Sequence, residues 1–425
     1  MIKNFHALIK NKEYNYALKI IEAGLNASKP SLCLEQYFLK NKLRINGKLI
    51  NLQDFDNIHI IAIGKSASDM ASFASKKINF KRGVVVMPSG YKQTFSNKKF
   101  KFFKSGHPLP NAQSLSASKF LTKFLSNTTK NDFILFLISG GGSALLSYPL
   151  GISLKQKIKI NNILIKSGAN IQEIACIRKH LSKIKGGRLT SGLNAKSISF
   201  VISDVISDDL SSISSGLTYF DNTTFSDAMK IIKKYNLEKQ IPKKAIKILR
   251  NELNMDETPK NTKVKNILVS NNFTALDAMR KKSVNLCFNP ILMKNITGDV
   301  VSVSKMISKK ISKTRKNCLI FGGEPTVKVK GSGNGGRNQE LVLRIINELN
   351  KTNDQFIIAS IGTDGIDGNT KYAGAISSNN NKLGINDYLK NNDSHNYFKK
   401  YGGLIKTGPT HINVNDIGVI IRHNS

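Results

Sequence analysis

The segment "FILFLISGGGSALL", residues 133–146, decides the fold class. Its initial apolar run is long enough for a buried strand and far short of the roughly 20 residues that a membrane-spanning helix needs. A loop of one serine and three glycines follows, and a helical pattern begins directly after the loop. A continuous apolar strand in this order is typical of a parallel sheet with helices on both faces.

Five further segments contain a β-rich run that ends in small or polar loop residues. They are "IHIIAIGKSASDMASFASKK" (58–77), "ISFVISDVISDD" (198–209), "NILVSNNFTALDAM" (266–279), "LIFGGEPT" (319–326) and "FIIASIGTDGIDG" (356–368). Ligands of open parallel sheets bind beyond the carboxyl ends of the strands. Almost all the glycines and small polar residues of the chain lie at that end. We therefore predict an α/β fold with two domains, whose sheets are largely parallel and Rossmann-like.

The length of the chain indicates how it divides. At 425 residues it exceeds the size at which one hydrophobic core usually stops growing, so two domains are expected. Residues 2–48 and 153–170 have helical patterns, and residues 222–265 are rich in helix formers and lysine. We place the division there, which gives domains of residues 1–245 and 246–425. The alternative that the last strand returns to the first domain stays open.

The net charge of +37 raises the question of nucleic-acid binding. The lysines are spread over the whole chain and tryptophan is absent, which favours a compositional bias with solvated helix faces over a nucleic-acid site. A basic protein still attracts anionic substrates. The N-terminus lacks the pattern of a signal peptide, no segment suits a membrane span, and the four cysteines are far apart. These features favour a cytoplasmic protein without a zinc site.

Lys65 lies directly after a predicted strand and before a predicted helix, in "IIAIGKSAS". The free amides at a helix N-terminus favour an anion, and a lysine adds a point charge. The loop is not a Walker A loop, because His59 stands where that motif requires glycine. The alternative is an exposed turn lysine, but the tight strand–Gly64–Lys65–helix context favours a functional site.

Three consecutive glycines, Gly140, Gly141 and Gly142, lie between Ser139 and Ser143. Residues without a Cβ let backbone amides converge on an oxyanion or a phosphate. We predict that Ser143 caps the following helix and lines a phosphate site as well. The segment is not a nucleophile elbow, since the second glycine of G-x-S-x-G is missing.

Two cations of "IRKHLSKIKGGRL" (177–189) are candidate ligands for an anion. Helical spacing places Arg178 and Lys185 two turns apart on one side of a helix. A run of charges is usually a solvated helix face, so the residues by themselves favour that interpretation.

Asp204 and Asp364 each follow a β-rich run by two residues. Carboxylates at strand ends beside phosphate-sized loops suit Mg²⁺ that keeps several waters. Turn and capping interactions are the alternative, since Asp forms them routinely, and the residues leave both open.

The segment "KGSGNGGRNQEL" (330–341) satisfies the dinucleotide pattern G-x-G-x-x-G. Its context differs from a Rossmann loop, because the preceding "TVKVK" alternates polar and apolar residues like a half-exposed strand. The acid expected about 20 residues later is Asp354, which stands before a strand instead of after one. The loop also ends in Arg337, a cation that suits phosphoryl transfer. We therefore predict that it serves an anion other than the NAD pyrophosphate.

The motifs together resemble the glycerate 2-kinase family, the class II glycerate kinases whose C-terminal part is called the MOFRL domain. The matching segments are "GHPLP" (106–110), "SGGGSALL" (139–146), "RKHLSKIKGGRL" (178–189), "GGEPTV" (322–327), "GGRNQEL" (335–341), "GTDGIDG" (362–368) and "TGPT" (407–410). They occur in order from about residue 58 to residue 416 and are specific only in combination.

The resemblance implies ATP-dependent phosphorylation of D-glycerate on its 2-hydroxyl, with Mg²⁺, in a cleft between two α/β domains. The lysine after the first strand and the arginine of "GGRNQE" are the proposed catalytic residues of the family, which correspond to Lys65 and Arg337. A homodimer stays open. The candidate ligands of phosphate, nucleotide or substrate are Gly64, Ser139, Gly140, Gly141, Gly142, Ser143, Arg178, Lys185, Glu324, Gly333, Gly335, Gly336 and Asn338. The candidate metal ligands are Asp204 and Asp364.

The chain departs from the family at a few positions in these loops. The family usually has glycine at Ser207 and proline at Leu217, and it reads "DGPTDAAGA" where this chain has "DGNTKYAGA", with Asn369 and Lys371. The alternative function is an NAD(P)-dependent reductase of hydroxypyruvate or tartronate semialdehyde.

Overall fold

The computed structural model describes residues 1–314, 316–350, 352–380 and 384–422. Helices and strands alternate along these residues. The helices are α1 (Lys12–Ala27), α2 (Pro30–Glu35), α3 (Ala67–Lys77), α4 (Ala112–Ser126), α5 (Gly142–Leu145), α6 (Leu154–Lys166), α7 (Ile171–His180), α8 (Phe225–Lys234), α9 (Lys243–Leu249), α10 (Asn272–Asn285), α11 (Val300–Ser312), α12 (Arg337–Leu349), α13 (Ile385–Lys390) and α14 (Ser394–Tyr401). The strands are β1 (Phe38–Leu39), β2 (Lys42–Ile45), β3 (Lys48–Asn51), β4 (Asn57–Ile63), β5 (Arg82–Pro88), β6 (Phe100–Ser105), β7 (Asp132–Ile138), β8 (Lys196–Ile202), β9 (Lys265–Ser270), β10 (Pro290–Asp299), β11 (Cys318–Thr326), β12 (Phe356–Gly362), β13 (Gly374–Ser378), β14 (Leu404–Ile405) and β15 (Asp416–Arg422).

The chain forms two compact units that are not contiguous in sequence. The parallel-sheet unit contains residues 34–203 and 208–269, and the mixed-sheet unit contains residues 1–33, 204–207 and the chain from Ser270 onwards. The units therefore do not follow a single division near residue 245. The first 33 residues belong with the C-terminal part of the chain, which the local helical pattern of that segment could not indicate.

The parallel-sheet unit is built on a six-stranded sheet with the order β6-β5-β4-β7-β8-β9. The neighbouring pairs from β6 to β8 are parallel, as the continuous apolar runs predicted. The register pairs Ile63 with Ile138, so β4 and β7 end side by side. The loops that follow these two strands must therefore leave the sheet together. The α/β fold class is confirmed for this unit.

Two other parts of this unit test the predicted helices. The helix predicted over 153–170 is confirmed by α6, whose first turn is closed by reciprocal bonds between Ser153 and Gln156. The prediction of helix as far as residue 48 is wrong from residue 38 onwards, where β1, β2 and β3 form an antiparallel sheet. Asn46 and Gly47, both with positive φ, form the turn between β2 and β3. Asn-Gly between strands is a strong hairpin signal, and here it outweighs the helical pattern.

The mixed-sheet unit has a sheet of the order β10-β11-β15-β12-β13-β14. The strands β10, β11, β12 and β14 run in one direction, and β15 and β13 run in the other. The prediction of largely parallel pairing is therefore wrong for this sheet, because the last strand inserts between β11 and β12. A buried antiparallel strand has the same continuous apolar run as a parallel one, so its direction is invisible in the sequence.

The last strand thus does not return to the first sheet, the possibility that the sequence left open. Instead, the first long helix belongs to a unit formed mainly by the C-terminal part of the chain, since α1 packs against α10 and β15. Gly24 permits this close approach, because a Cβ at that position would lie 2.8 Å from Met279 Cγ. In the described ranges no helix is long and apolar enough to cross a membrane.

Candidate active site

The loops after β4 and β7 are bonded to each other at the carboxyl edge of the parallel sheet. The Lys65 amide donates to the carbonyl of Gly140 at 2.9 Å, and the Ser66 amide donates to Ser139 Oγ at 3.0 Å. Gly64 has a φ of +125°, and a Cβ there would lie 2.2 Å from Ser139 Oγ. The predicted candidates Gly64, Lys65, Ser139 and Gly140 therefore lie together.

The SGGGS loop, residues 139–143, turns at Gly141, which has a φ of +88°. This residue occupies the N-cap position of α5, so the prediction that Ser143 caps the helix is wrong. Ser143 lies in the first turn instead. Within the part of the chain that the structure describes, the backbone amides of Gly141, Gly142 and Ser143 donate no hydrogen bond to protein atoms. These amides are available to an anion.

The Ser143 hydroxyl is the meeting point of two of the predicted cations. Arg178 Nη2 donates to Ser143 Oγ at 2.7 Å, and Lys185 Nζ contacts both this oxygen and the Ser143 carbonyl, the latter at 2.7 Å. Ser215 Oγ lies 2.9 Å from Ser143 Oγ. Helix α7 ends at His180, so Arg178 and Lys185 do not share a helix face as their spacing suggested. The chain beyond the helix turns back and brings them together.

Two more buried lysines lie beside this group. Lys157 Nζ donates to Ser147 Oγ at 2.9 Å, and Lys179 forms an ion pair with Asp221 at 3.2 Å. Burial, with Arg178 nearby, lowers the pKa of Lys157 to about 7. Burial also lowers the pKa of Lys185 well below its ordinary value, and nearby cations add to the effect. A buried amine avoids the cost of an unpaired charge by giving up its proton.

The cluster lacks acidic partners for most of its charges. Among the described residues, Lys157, Arg178 and Lys185 form no ion pair with a carboxylate. Basic side chains without carboxylate partners, beside open amides, are an arrangement that binds a carboxylate or a phosphate. Lys157 could not be singled out from the sequence, because it is one of several lysines on a lysine-rich helix.

Arg337 in the mixed-sheet unit is held by two carboxylates. Its Nε and Nη2 donate to Asp416 at 2.6 and 3.0 Å, and its Nη1 donates to Glu324 at 2.8 Å. Burial disfavours the charged guanidinium, but the two carboxylates outweigh burial and raise the pKa of Arg337. Desolvation raises the pKa of Asp416 to about 7 despite the nearby arginine. The structure brings the predicted Glu324 and Arg337 together, and the sequence missed Asp416.

The GSGNGG loop, residues 331–336, is bonded to its own chain. The amides of Lys330 and Gly331 donate to Asn392, those of Ser332 and Gly333 to Asn391, that of Asn334 to Asp393 and that of Gly335 to Asn369. A phosphate could reach these amides only by displacing protein acceptors. The predicted role of Gly333 and Gly335 as phosphate donors therefore does not describe this structure. The preceding segment 327–330 is not a strand either, since β11 ends at Thr326.

The N-terminus of α12 binds a carboxylate of the protein itself. The amides of Asn338 and Gln339 donate to the two oxygens of the buried Asp367 carboxylate at 3.0 and 2.9 Å. A Cβ on Gly336 would lie 2.2 Å from Asp367 Cγ, so glycine is required there by close approach. Asn338 is itself buried and bonded to Ser360 at 2.6 Å. Asn338 and Gln339 thus hold the Asp367 carboxylate at the site where a phosphate was expected, and Gly336 permits its close approach.

The predicted metal ligands have protein partners. Asp204 accepts from Asn413 at 3.0 Å, and the Asp364 carboxylate accepts from the Ile366 amide at 3.2 Å in its own turn. The described residues include no group of three or more His, Cys, Asp or Glu side chains positioned to hold a metal. The residues fit Mg²⁺ only in the form in which one or two carboxylates share the ion with phosphate oxygens and water.

Comparison with known proteins places these two sites in a family. The family described as a domain of unknown function (DUF4147) matches residues 16–250, and the MOFRL family matches residues 317–416. The D-glycerate 2-kinase of Thermotoga maritima is 35% identical over 429 residues, covering 95% of this chain and 98% of that protein. The chain belongs to the glycerate 2-kinase family. The glycerate 2-kinase of Picrophilus torridus is 36% identical over the full length of both chains.

Solved structures of the family agree with the fold. A protein of Pyrococcus horikoshii has a TM-score of 0.82 at 32% identity, covering 97% of this chain and 99% of that one. The glycerate kinase of Thermotoga maritima has a TM-score of 0.81 at 33% identity, covering 95% and 97%. The family prediction is confirmed, and the reductase alternative is not supported.

One departure from the family pattern has a visible consequence. Asn369, where the family usually has proline, accepts from the Gly335 amide at 3.0 Å and donates to Asn334 at 2.9 Å. Its own amide donates to the Gly335 carbonyl at 3.3 Å. A proline could make none of these bonds. In this glycerate 2-kinase homologue, Asn369 fastens the GSGNGG loop to the turn after β12.

Proposed function

We propose that this chain is an ATP-dependent kinase that phosphorylates D-glycerate on its 2-hydroxyl to give 2-phosphoglycerate. The observation that carries the proposal is the cluster of Lys157, Arg178 and Lys185 beside the open amides of the SGGGS loop. Relatives that align over almost the whole chain are named glycerate 2-kinases.

Phosphoryl transfer needs neutralisation of charge on the moving group and alignment of a hydroxyl with it. The amides of Gly141 to Ser143 bind phosphoryl oxygens, and Arg178 adds a charged donor at the same loop. Lys65, whose amide is fixed to Gly140, stabilises the group in transfer. The structure has already paired the loops that carry these residues, so little reorganisation is needed.

Arg337 acts from a fixed position. A guanidinium has five N–H donors, and the contacts with Asp416 and Glu324 use three of them. The remaining donors can bind the glycerate carboxylate, which an arginine recognises through its planar fork. The two carboxylates hold the guanidinium plane in the orientation that this contact requires.

Mg²⁺ supplies charge neutralisation at the phosphates when it is bound with ATP, and Asp204 and Asp364 are the residues proposed to contact it. The turn around Asp364 also holds Asp416 nearby, since the Oδ1 atoms of both residues lie within 3.5 Å of the Cβ position at Gly362. If Asp204 and Asp364 bind the ion, the remaining ligand positions are left to water and phosphate oxygens, as Mg²⁺ prefers.

The test couples the purified protein, ATP, Mg²⁺ and D-glycerate to enolase without phosphoglycerate mutase. Formation of phosphoenolpyruvate supports the 2-phosphate product. ADP release without phosphoenolpyruvate would contradict it, since the acceptor hydroxyl or the acceptor itself is then different. Oxidation of NADH by hydroxypyruvate in the absence of ATP would instead revive the reductase.

A further inference from the structure

The lysine that contacts Ser143 has an unusual set of partners. Lys185 is fully buried, and its Nζ lies within hydrogen-bond distance of the Ser143 carbonyl, Ser143 Oγ and Ser215 Oγ. All three oxygens are neutral, and no carboxylate of the described residues pairs with it. Ser143 is only half-buried and belongs to the loop with open amides. The serine is therefore the route by which a bound molecule can reach the lysine.

The three contacts that Lys185 Nζ makes with Ser143 and Ser215 suit a charged lysine, and they can also be satisfied when Lys185 is a neutral amine. A neutral amine donates two protons and accepts one. The Ser143 carbonyl can only accept, so it takes one amine proton. A charged Lys185 donates to Ser143 Oγ. When the amine is neutral, Ser143 Oγ accepts from Arg178 and Ser215 and can donate its own proton to Lys185 Nζ. In this arrangement the serine hydroxyl donates to an amine and accepts from a guanidinium, which polarises its O–H bond.

The charges that face Lys185 favour the same state. Lys157 on α6 and Arg178 and Lys179 on α7 surround it, and only Lys179 is neutralised, by Asp221. Burial and these cations lower the pKa of Lys185 well below its ordinary value. An amine whose surroundings favour the neutral form is able to take up a proton during a reaction.

We propose that Ser143 and Lys185 form the proton relay for the acceptor hydroxyl, an inference that rests on the proposed kinase function. The acceptor O–H passes its proton to Ser143 Oγ while Ser143 passes its own proton to Lys185 Nζ. The acceptor oxygen forms a bond to the γ-phosphorus of ATP, and the bond between that phosphorus and the bridging oxygen of ADP breaks. Lys185 then releases its proton to solvent. Ser143 is the residue that touches the substrate, and Lys185 acts through it.

The first experiment compares Lys185→Met and Ser143→Ala with Lys183→Met, an exposed lysine of the same segment. Rates are measured with the enolase-coupled assay between pH 5.5 and 9. Removal of a proton acceptor costs roughly 10²–10⁴-fold in rate. We expect both relay variants to lose kcat by this order while the KM for ATP changes less than about five-fold, and the fall of kcat at acid pH to disappear. Lys183→Met should match the wild type.

The second experiment leaves the relay in place and changes its surroundings. Lys157→Met removes one of the cations that face Lys185 and preserves the length of the side chain. Lys185 then binds its proton more tightly, so the acid limb of the kcat profile should move to higher pH by on the order of one unit. A purely structural Lys185 would not produce this shift. The measurement also serves if Lys185→Met does not fold.

Three outcomes would overturn the relay. Lys185→Met with near wild-type kcat and an unchanged acid limb is the first, and an unmoved acid limb in Lys157→Met is the second. The third is phosphate found on Ser143 by mass spectrometry after incubation with ATP alone, since the serine would then be a covalent acceptor. A wild-type protein that releases no ADP with glycerate overturns the proposed function together with the relay. An active wild type with any of the three outcomes overturns the relay alone.

Discussion

The SGGGS loop and the GSGNGG loop look alike in sequence and differ in what surrounds them. Each has at least three glycines and a candidate cation beside it: Arg178 donates to Ser143, and Arg337 directly follows the GSGNGG loop. In the first loop the amides of Gly141 to Ser143 are open, and the nearby Lys157, Arg178 and Lys185 have no carboxylate partner in the described part of the chain. In the second, protein acceptors occupy the amides and two carboxylates hold the arginine.

The difference comes from residues that are distant in sequence from either motif. Asn391, Asn392 and Asp393 close the GSGNGG loop, whereas the basic side chains of Lys157 and Lys185 lie beside the SGGGS loop. Glycine in the first loop leaves room for an anion. In the second, it lets the chain pack against its own backbone, as at Gly331, where a Cβ would lie 2.4 Å from the Asn391 carbonyl oxygen. A glycine pattern therefore does not distinguish a phosphate site from a tight internal contact.

Arg337→Lys should have the largest effect on activity. Protein acceptors occupy the amides of the GSGNGG loop (the closed loop), so Arg337, which follows it, is the group there that can still bind a substrate. A lysine cannot form the two-pronged contact with Asp416 or keep spare donors for a substrate carboxylate. We expect kcat/KM to fall by roughly 10²–10³-fold, the loss seen when a positioned donor is removed from an active site. The enolase-coupled assay measures the change.

Arg344→Lys is the matched control, since Arg344 makes a similar pair of bonds with Glu340 on the same helix. Both variants should lower thermal stability, but only the change at Arg337 should lower kcat/KM beyond the loss of folded protein. Near wild-type kcat/KM in Arg337→Lys would show that the closed loop has a structural role only, and the contrast with the SGGGS loop would become complete.

The two regions should respond to pH in opposite directions. The pKa of Asp416 is raised to about 7, above the unfolded value of 3.8. Its contribution to stability is thus fully present below about pH 4 and is lost as pH rises through 7, an effect on the order of 4 kcal/mol. The pKa of Lys157 is lowered to about 7 from 10.5, so its contribution is present above about pH 10.5 and is lost as pH falls through 7.

Asp416→Asn tests the first of these slopes. The asparagine does not titrate, so unfolding free energies from urea titrations between pH 4 and 8 should lose the decline attributed to Asp416. Lys157→Met should leave that decline unchanged and flatten the slope above pH 7 instead. Equal slopes in Asp416→Asn and the wild type would mean that the carboxylate keeps its ordinary charge beside Arg337.

Features that depend on neighbouring residues can be predicted from the sequence, whereas features that depend on residues far apart in the chain cannot. The strands β4 and β7 and their loops follow from local apolar runs and glycines, and the structure pairs Lys65 with Gly140 as the parallel sheet requires. The direction of β15 was not predictable, because a buried strand has the same apolar run in either direction. The hairpin at Asn46 and Gly47 was predictable and was missed in favour of a helical pattern.

The site divides in the same way. The gathering of Arg178 and Lys185 at Ser143 depends on a chain reversal that spacing on one helix cannot predict. The composition conceals Lys157, since the chain contains 65 lysines and arginines and α6 also carries Lys155, Lys159 and Lys166. Asp416 is the first residue of the apolar strand β15. A charged residue at the start of a buried strand was the local indication that it pairs with another charge, here Arg337.

An added anion should stabilise the protein through the SGGGS loop. A ligand at 100 times its dissociation constant stabilises the folded state by about 2.7 kcal/mol. We expect inorganic phosphate to raise the melting temperature, and to do so less at pH 8.5 than at pH 6.5, because protonated Lys157 attracts the anion. Lys157→Met should weaken this effect, whereas Lys328→Met, an exposed lysine near the GSGNGG loop, should not. Equal loss in both variants would point to general charge screening.

Alanine substitutions in the two loops should have the smallest effects and the clearest contrast. Gly141→Ala places a side chain at a φ of +88°, which costs about 1–2 kcal/mol and turns an open amide away from the anion. Gly333→Ala instead drives a Cβ to 2.6 Å from the Asn391 carbonyl oxygen, with a loss of about 1–3 kcal/mol from overpacking. Gly90→Ala, with no atom within 4 Å of its Cβ, is the control.

The ratio of activity to stability then separates the loops. Gly141→Ala should lose kcat/KM by more than its loss of stability explains, since its amide belongs to the open group. Gly333→Ala should lose stability with kcat/KM per folded molecule nearly unchanged, because its amide already donates to Asn391. If Gly333→Ala were the variant that lost activity at full stability, a phosphate would have to displace Asn391 in the working enzyme. The closed loop would then be the resting form of a second phosphate site.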